Sequence, residues 1–330
     1  MAFLPSYINR ALVIIDKPPH MQSSECTSIV RKLISEAAGS GLRVSRPETR
    51  DPRPQTIKTV RPYDLKTSED LKTSASADAR EDSTHCVRKT IKAGHAGTLD
   101  PNVTGVLPIA IGKATHLISH LALREKEYVC ICRIMGKFGK EEIERALKSF
   151  EGKIEQIPPK QSAVKKVRRI REIYALKLLE AKNLVKRTDI LFRVSCQAGT
   201  YIRVLCEDVG KKLGARAFMV ELRRTKVGAI TENEAITLHR LRALIQKGES
   251  AEFSRFVKPI EHYIPSKLVV ANDAAVANVK KGMALYSKGI VSGAEKLAEG
   301  DYVCITSQSG EIVAIGKYGG NCVKLLRVFV

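Results

Sequence analysis

Five consecutive apolar residues, Ala11 to Ile15 in "RALVIIDKPP", stop at Asp16, Lys17 and two prolines. An uninterrupted apolar run of that length, closed by proline, predicts a short buried strand. The next run, "SECTSIVRKLIS", carries its apolar residues at helical spacing, with Ser24 or a neighbour placed to cap the helix. From about residue 38 to 90 the pattern dissolves into Ser, Thr, Pro and charges of both signs, with Tyr63 as its only aromatic. Such a stretch cannot bury enough apolar surface to offset its ordering entropy, so it predicts a flexible insertion.

Periodicity returns after residue 90. "ATHLISHLALR" predicts a helix, "KEYVCICRIMG" alternates as a strand, and "KEEIERALKSFEG" reads as a helix closed by Gly152. The segment "SAVKKVRRIREIYALKLLEAKNL" follows, then a strand predicted over "DILFRVSCQAGTYIRVLCEDVGKKLG" and the alternating "AFMVELRRTKVGAI". Strands and helices mixed in this order predict an α+β core rather than a doubly wound sheet. Beyond "LHRLRALIQKGESAEFSRFVKPIEHYIP" the texture changes to short β-like runs separated by glycine turns, which predicts a small β-barrel. The domain boundary is placed near residue 265, giving an α+β domain over 1–265 and a barrel over 266–330.

Charge narrows the partner. Fifty-six Lys and Arg against thirty-five Asp and Glu give a formal charge of +21, more than solubility calls for, and point to a polyanion. No segment approaches the roughly 20 apolar residues of a membrane span, and "ALVII" is too short for a secretory core, so neither a membrane partner nor export is expected. The eight cysteines include no C-x-x-C pair; Cys130 and Cys132 would share one face of a strand. Buried free thiols in a reducing compartment, and no metal, are the expectation.

The stretch "KAGHAGTLDPNVTGVLP", residues 92 to 108, concentrates three glycines, two prolines and one aspartate. Its glycines permit backbone conformations closed to other residues, and Pro101 biases Asp100 toward an extended conformation. The loop would aim one carboxylate, although an Asp-Pro dipeptide is equally a turn former. The string "GHAGTLDPNVTGVL" resembles the signature loop of the TruB family of pseudouridine synthases, in order and in spacing. The resemblance continues in "IDKPP", in "KEYVC", in "AGTYIR" and in "ELRRTKVG". "IPPKQSAVKKVRRIREIYALKLLE" and "VSCQAGTYIRVLC" are similar to the dyskerin branch, and the terminal barrel is similar to a PUA domain. That branch usually carries Gly where this chain has His20, and His where it has Ser24.

The resemblance implies a mixed-sheet pseudouridine synthase core with a PUA barrel, isomerising uridine to pseudouridine without a cofactor. It implies Asp100 as the catalytic carboxylate and Arg203 as the arginine that holds it in its ionised form. It implies Tyr128 stacked on the target uracil, where it would also assist proton removal at carbon-5. His95 would take the space left by the extruded nucleotide, and Tyr201 and Leu222 would surround the base. In the basic run "KKVRRIR", Lys165, Lys166, Arg168 and Arg169 would contact RNA phosphates, and Gly282 would let RNA approach the barrel backbone.

The activity so implied is guide-dependent modification of ribosomal RNA within an H/ACA ribonucleoprotein. Its partners would be the guide RNA, the ribosomal RNA substrate and the small core proteins of that particle. The site of action would be the nucleolus, or the cytoplasm for an archaeal chain. Two alternatives stand beside it: a guide-free synthase acting on the T-loop of tRNA, and a catalytically silent RNA-binding scaffold.

Overall fold

The computed structural model describes residues 4–39, 91–158, 166–263 and 266–329. Almost all of the segment read as a flexible insertion therefore lies outside the described residues, as do Lys165, Cys86 and the boundary at residues 264 and 265.

The first sheet has ten strands: β1 (Ala11–Lys17), β2 (Ala93–His95), β3 (Thr104–Ile111), β4 (Lys126–Met135), β5 (Gly152–Gln156), β6 (Arg169–Asn183), β7 (Arg187–Cys196), β8 (Ala217–Val227), β9 (Ile230–Thr231) and β10 (Val257–Pro259). They run in the order β10-β1-β3-β8-β4-β7-β6-β5, with β2 added to β3 and β9 to β8. The β3–β8 pair is parallel and the other pairs are antiparallel. Between the strands lie α1 (Ser23–Gly39), α2 (Ile118–Ala122), α3 (Lys140–Lys148), α4 (Ile202–Lys212), α5 (Leu238–Lys247) and α6 (Ser250–Phe256).

Ala11 to Ile15 are fully buried because β1 has sheet neighbours on both sides and core on both faces. In β4 the alternation is clean: Cys130, Cys132 and Ile134 are buried, and the intervening Val129, Ile131 and Arg133 are half-exposed. The buried set packs with Val30 and Ile34 of α1, Leu205 of α4 and Leu241 of α5 in one core. The predicted α+β build with a mixed sheet is the observed one.

The second sheet holds β11 (Lys267–Ala271), β12 (Leu285–Tyr286), β13 (Ile290–Ser292), β14 (Tyr302–Thr306), β15 (Ile312–Tyr318) and β16 (Cys322–Val328), in the order β12-β16-β15-β14-β11-β13. It curls around Val269, Ile305, Ala314 and Val323 as a nearly closed, barrel-like sheet. Reading only β-like runs here missed α7 (Asp273–Lys280), whose start is marked by Asn272 accepting a hydrogen bond from the Ala275 amide at 2.8 Å. The barrel docks on the first sheet through Ile315, Tyr302, Leu326 and Phe329, which pack on the core containing Leu117 and Leu121. Arg124 stacks over the Tyr302 ring, 5.6 Å from its centre.

Three local readings change. The strand predicted from Asp189 to Gly214 ends at Cys196, and its second half is α4. Gly199, at φ +82°, breaks the strand, and Ile202, Leu205, Cys206 and Val209 then bury one helical stripe. Gly152 does not close α3: the helix ends at Lys148 with Ser149 beyond it, and Gly152, at φ +93°, opens β5. The helix read over "ATHLISHLALR" begins as a 3-10 turn, Gly112–Leu117, and becomes α-helical only over α2.

Candidate active site

The loop between β2 and β3 is held at three main-chain carbonyls, and the start of β3 at a fourth, by three side chains that come from other elements. Lys17, fully buried at the end of β1, directs its ammonium at Pro18 O (2.9 Å), Met21 O (2.5 Å) and Pro101 O (2.8 Å). Those three carbonyls use its three N–H donors, and burial lowers its pKa. Ser23, at the start of α1, donates to Leu99 O and accepts from Leu99 N, both at 2.9 Å. Arg224 of β8, 1 % exposed, donates from Nε to Val106 O at 2.8 Å and from Nη2 to Gly97 O at 2.9 Å.

Two glycines make these contacts possible. A Cβ on Gly105, at φ +99°, would stand 2.2 Å from the Arg224 carbonyl oxygen, and one on Gly97, at φ +80°, would press the Arg224 guanidinium. Val103 N donates to Asp100 O at 3.0 Å, so the Asp-Pro dipeptide does form a turn. The turn points the Asp100 side chain outward, 55 % exposed, while Leu99 and Val103 on either side are buried.

Arg203, in the first turn of α4, donates through Nη2 to Asp100 Oδ2. Asp100, Arg203, Tyr201, Tyr128 and Leu222 line one cleft of about 890 Å³. The Tyr201 backbone is clamped by Gln156 of β5, whose amide accepts from Tyr201 N at 2.9 Å and donates to Tyr201 O at 3.1 Å. Tyr128 faces the cleft from β4. Burial raises its pKa and the adjacent Arg224 charge acts the other way, so the phenol is neutral at physiological pH. Lys126, two residues earlier, donates to Ala122 O and Arg124 O; burial, then the Arg224 charge, brings its ammonium down to about 8.

His95 stands at the end of β2, lining an adjoining cleft rather than the one around Asp100. The Thr27 hydroxyl donates to Ser23 O at 2.8 Å, so it accepts from His95 Nδ1 at 3.1 Å, and Nε2 of the neutral ring then accepts from Thr98 at 3.2 Å. Burial, with the Arg224 charge second, lowers the His95 pKa from the ordinary 6.5. The unfolded chain binds this proton before the folded one, so stability that is full above about pH 6.5 is lost as pH falls toward the folded value. The melting temperature should therefore fall more steeply on acidification from about pH 7 to about pH 5 in the wild type than in His95→Gln.

The predicted RNA contacts lie apart from the cleft. Lys166 and Arg168 are exposed and Arg169 half-exposed at the start of β6; Arg168 faces Glu155 at 3.4 Å. Gly282, at φ +91°, supplies the left-handed turn that follows α7, its amide donating to Val279 O at 2.9 Å. Reading the sequence missed Lys17, Ser23, Lys126, Gln156 and Arg224. Only Arg224 had a usable signal: in a strand, residue 224 faces the same side as Leu222.

Residues 85–140 and 134–202 match the N-terminal domain of TruB family pseudouridylate synthases, 203–264 match the tRNA pseudouridylate synthase B C-terminal domain, and 267–327 match the PUA domain. A probable tRNA pseudouridine synthase B of Methanocaldococcus jannaschii is 42 % identical over 240 residues, 71 % of this chain and 70 % of that one. The protein of the same name from Methanopyrus kandleri is 44 % identical over 232 residues, 68 % and 67 % of the two chains. Among solved structures, that of a Cbf5-Nop10-Gar1 complex superposes with a TM-score of 0.70 at 32 % identity, over 98 % of this chain and 86 % of the other. An H/ACA RNP bound to a substrate RNA containing 2′-deoxyuridine gives 0.68 at 29 %, over 98 % and 86 %.

A carboxylate held at the mouth of a cleft, on a mixed sheet that carries a PUA barrel, is thus the build of an RNA pseudouridine synthase. The chain belongs to the TruB family, in its dyskerin-like branch.

Proposed function

We propose that this chain is the catalytic subunit of an H/ACA ribonucleoprotein, isomerising guide-selected uridines in ribosomal RNA. The observation that carries the proposal is the superposition of nearly the whole chain, barrel included, on the Cbf5-Nop10-Gar1 complex. The reaction breaks the bond between ribose C1′ and uracil N1, turns the base and joins C1′ to C5. The proton lost from C5 balances the one gained at N1, so no co-reactant is consumed.

In this reading Asp100, outward on its turn, attacks the sugar or takes a proton from it. Arg203 fixes the carboxylate by pairing with its Oδ2. A uridine flipped out of its stack would rest against Tyr128, with Leu222 and Tyr201 around it and His95 beside the vacated space. Lys165, Lys166, Arg168 and Arg169 would hold phosphates, and the barrel near Gly282 the guide RNA. In a eukaryotic cell the particle would work in the nucleolus.

Tyr128→Phe separates two roles of that ring. Stacking, about 1–3 kcal/mol by the usual measure of base–aromatic contacts, is retained, and the hydroxyl is lost. The expected result is a kcat lower by roughly 10²-fold, within the usual range for one acid–base group, with KM near the wild-type value. Tyr128→Ala should raise KM as well. Single-turnover assays on a tritiated uridine substrate read both.

The name carried by the curated relatives favours a second reading, modification of tRNA without a guide. Purified protein is incubated either with a ribosomal RNA fragment, its guide and the small core proteins, or with a tRNA transcript alone. Conversion that requires the guide supports the proposal. Equal or faster conversion of the T-loop uridine in tRNA alone overturns it.

A further inference from the structure

Among the described residues, His20 is the one non-glycine with a positive φ, at +59°. The reason for that conformation lies beneath it. Lys17 Nζ binds the carbonyls of both Pro18 and Met21, so the chain from 18 to 21 wraps around a single buried ammonium. A left-handed residue between Pro19 and Met21 turns the chain back on itself, and glycine is the residue that does so at least cost. Histidine is held there against that preference, and its side chain is not idle: Nδ1 donates to Asn102 Oδ1 at 3.1 Å.

Asn102 lines the Asp100 cleft and belongs to the turn that aims the carboxylate, two residues past Asp100. Lys17 binds the same turn from the protein side at Pro101 O, at 2.8 Å. The turn is therefore gripped twice from the first loop of the chain, once by a buried ammonium and once by an exposed imidazole. Among the described residues, the side-chain hydrogen bond of Asp100 is the one from Arg203, so the pose of the turn decides where the carboxylate stands. A strained residue whose side chain contacts a catalytic turn is the pattern in which strain accompanies function.

We propose that His20 is a positioning residue for the catalytic turn, holding Asn102 so that Asp100 keeps one pose when RNA enters the cleft. The activity part of this proposal rests on the pseudouridine synthase reading above; the ordering of the turn does not.

The test uses the full chain and the variants His20→Gly, His20→Asn, Asn102→Ala and the double variant His20→Gly with Asn102→Ala. Removing a side chain from a left-handed position relieves strain, so His20→Gly should melt no lower than wild type. Its turn should nevertheless loosen. Hydrogen exchange of the peptide spanning residues 97–106, read by mass spectrometry, should speed up severalfold, because the Val103 amide is bonded only across that turn. Conversion of uridine should fall about tenfold in kcat, a loss of about 1.4 kcal/mol in barrier terms, with little change in KM. His20→Asn, which tolerates the left-handed region and keeps a side-chain amide donor, should recover part of both. Asn102→Ala should reproduce the His20→Gly effects, and the double variant should be no worse than either single variant.

Unchanged exchange over 97–106 in His20→Gly overturns the proposal, as do additive losses in the double variant. If the wild type converts uridine in no RNA offered, the functional reading has failed, and the exchange data still decide whether His20 orders the turn.

Discussion

Asp100→Asn should leave a folded protein that binds RNA and no longer makes pseudouridine, with a loss of roughly 10³–10⁵-fold in single-turnover rate, the scale seen when a catalytic group acting as part of a unit is removed. The expectation follows from where the carboxylate sits. The turn is held by its backbone, through Ser23 at Leu99 and Lys17 at Pro101, and the Asp100 side chain is exposed and partnered by Arg203. An amide of the same shape fits that space and still accepts from the arginine, so the melting temperature should move by no more than about 2 °C, within about 1 kcal/mol. It can neither attack C1′ nor take a proton. Wild-type modification levels in Asp100→Asn particles, with folding and RNA binding intact, would instead support the silent scaffold.

The candidate site was legible where its residues sit in local strings. Asp100 stands inside a dozen characteristic positions, and Tyr128, Arg203, Tyr201 and Leu222 each ride on a short motif; the fold brings all five to one cleft. The residues that were not legible act across long separations. Lys17 and Pro101 are 84 positions apart, and Arg224 reaches Gly97 across 127, so no window of sequence contains both partners. A lysine after an apolar strand also reads as a strand end meeting water, and nothing local says that three carbonyls will close around it.

Element type was misread for a related reason. The stretch from Asp189 to Gly214 is apolar at every second position in its first half and at helical spacing in its second, with Gly199 at the change of period. Strand β6 shows the opposite override. "IREIYALKLLEAKN" is made largely of helix-forming residues, yet pairing with β5 on one side and β7 on the other draws it into fifteen residues of strand.

Adjacent arginines on β8 provide the other large effect and its control. Arg224→Met should cost about 3–5 kcal/mol, because it removes a buried charge whose donors satisfy Val106 O and Gly97 O and leaves both carbonyls unpaired inside the core. In a chain of this size that is a fall of roughly 4–7 °C in melting temperature. Activity should fall further than stability explains, since Gly97 O is an anchor of the loop that carries Asp100, and a kcat about 10²-fold lower is expected at temperatures where the variant is still folded. Arg223 points to the other face. It bonds Asp16 at 2.9 Å and Glu232 at 2.8 Å with its side chain 37 % exposed, so Arg223→Met should cost about 1 kcal/mol or less and leave kcat unchanged. The two substitutions are chemically identical and one position apart, so the difference between them isolates burial and the loop contact. Chemical denaturation and single-turnover rates on both variants measure it. Equal losses at 223 and 224 would mean that the buried guanidinium does not hold the loop that carries Asp100.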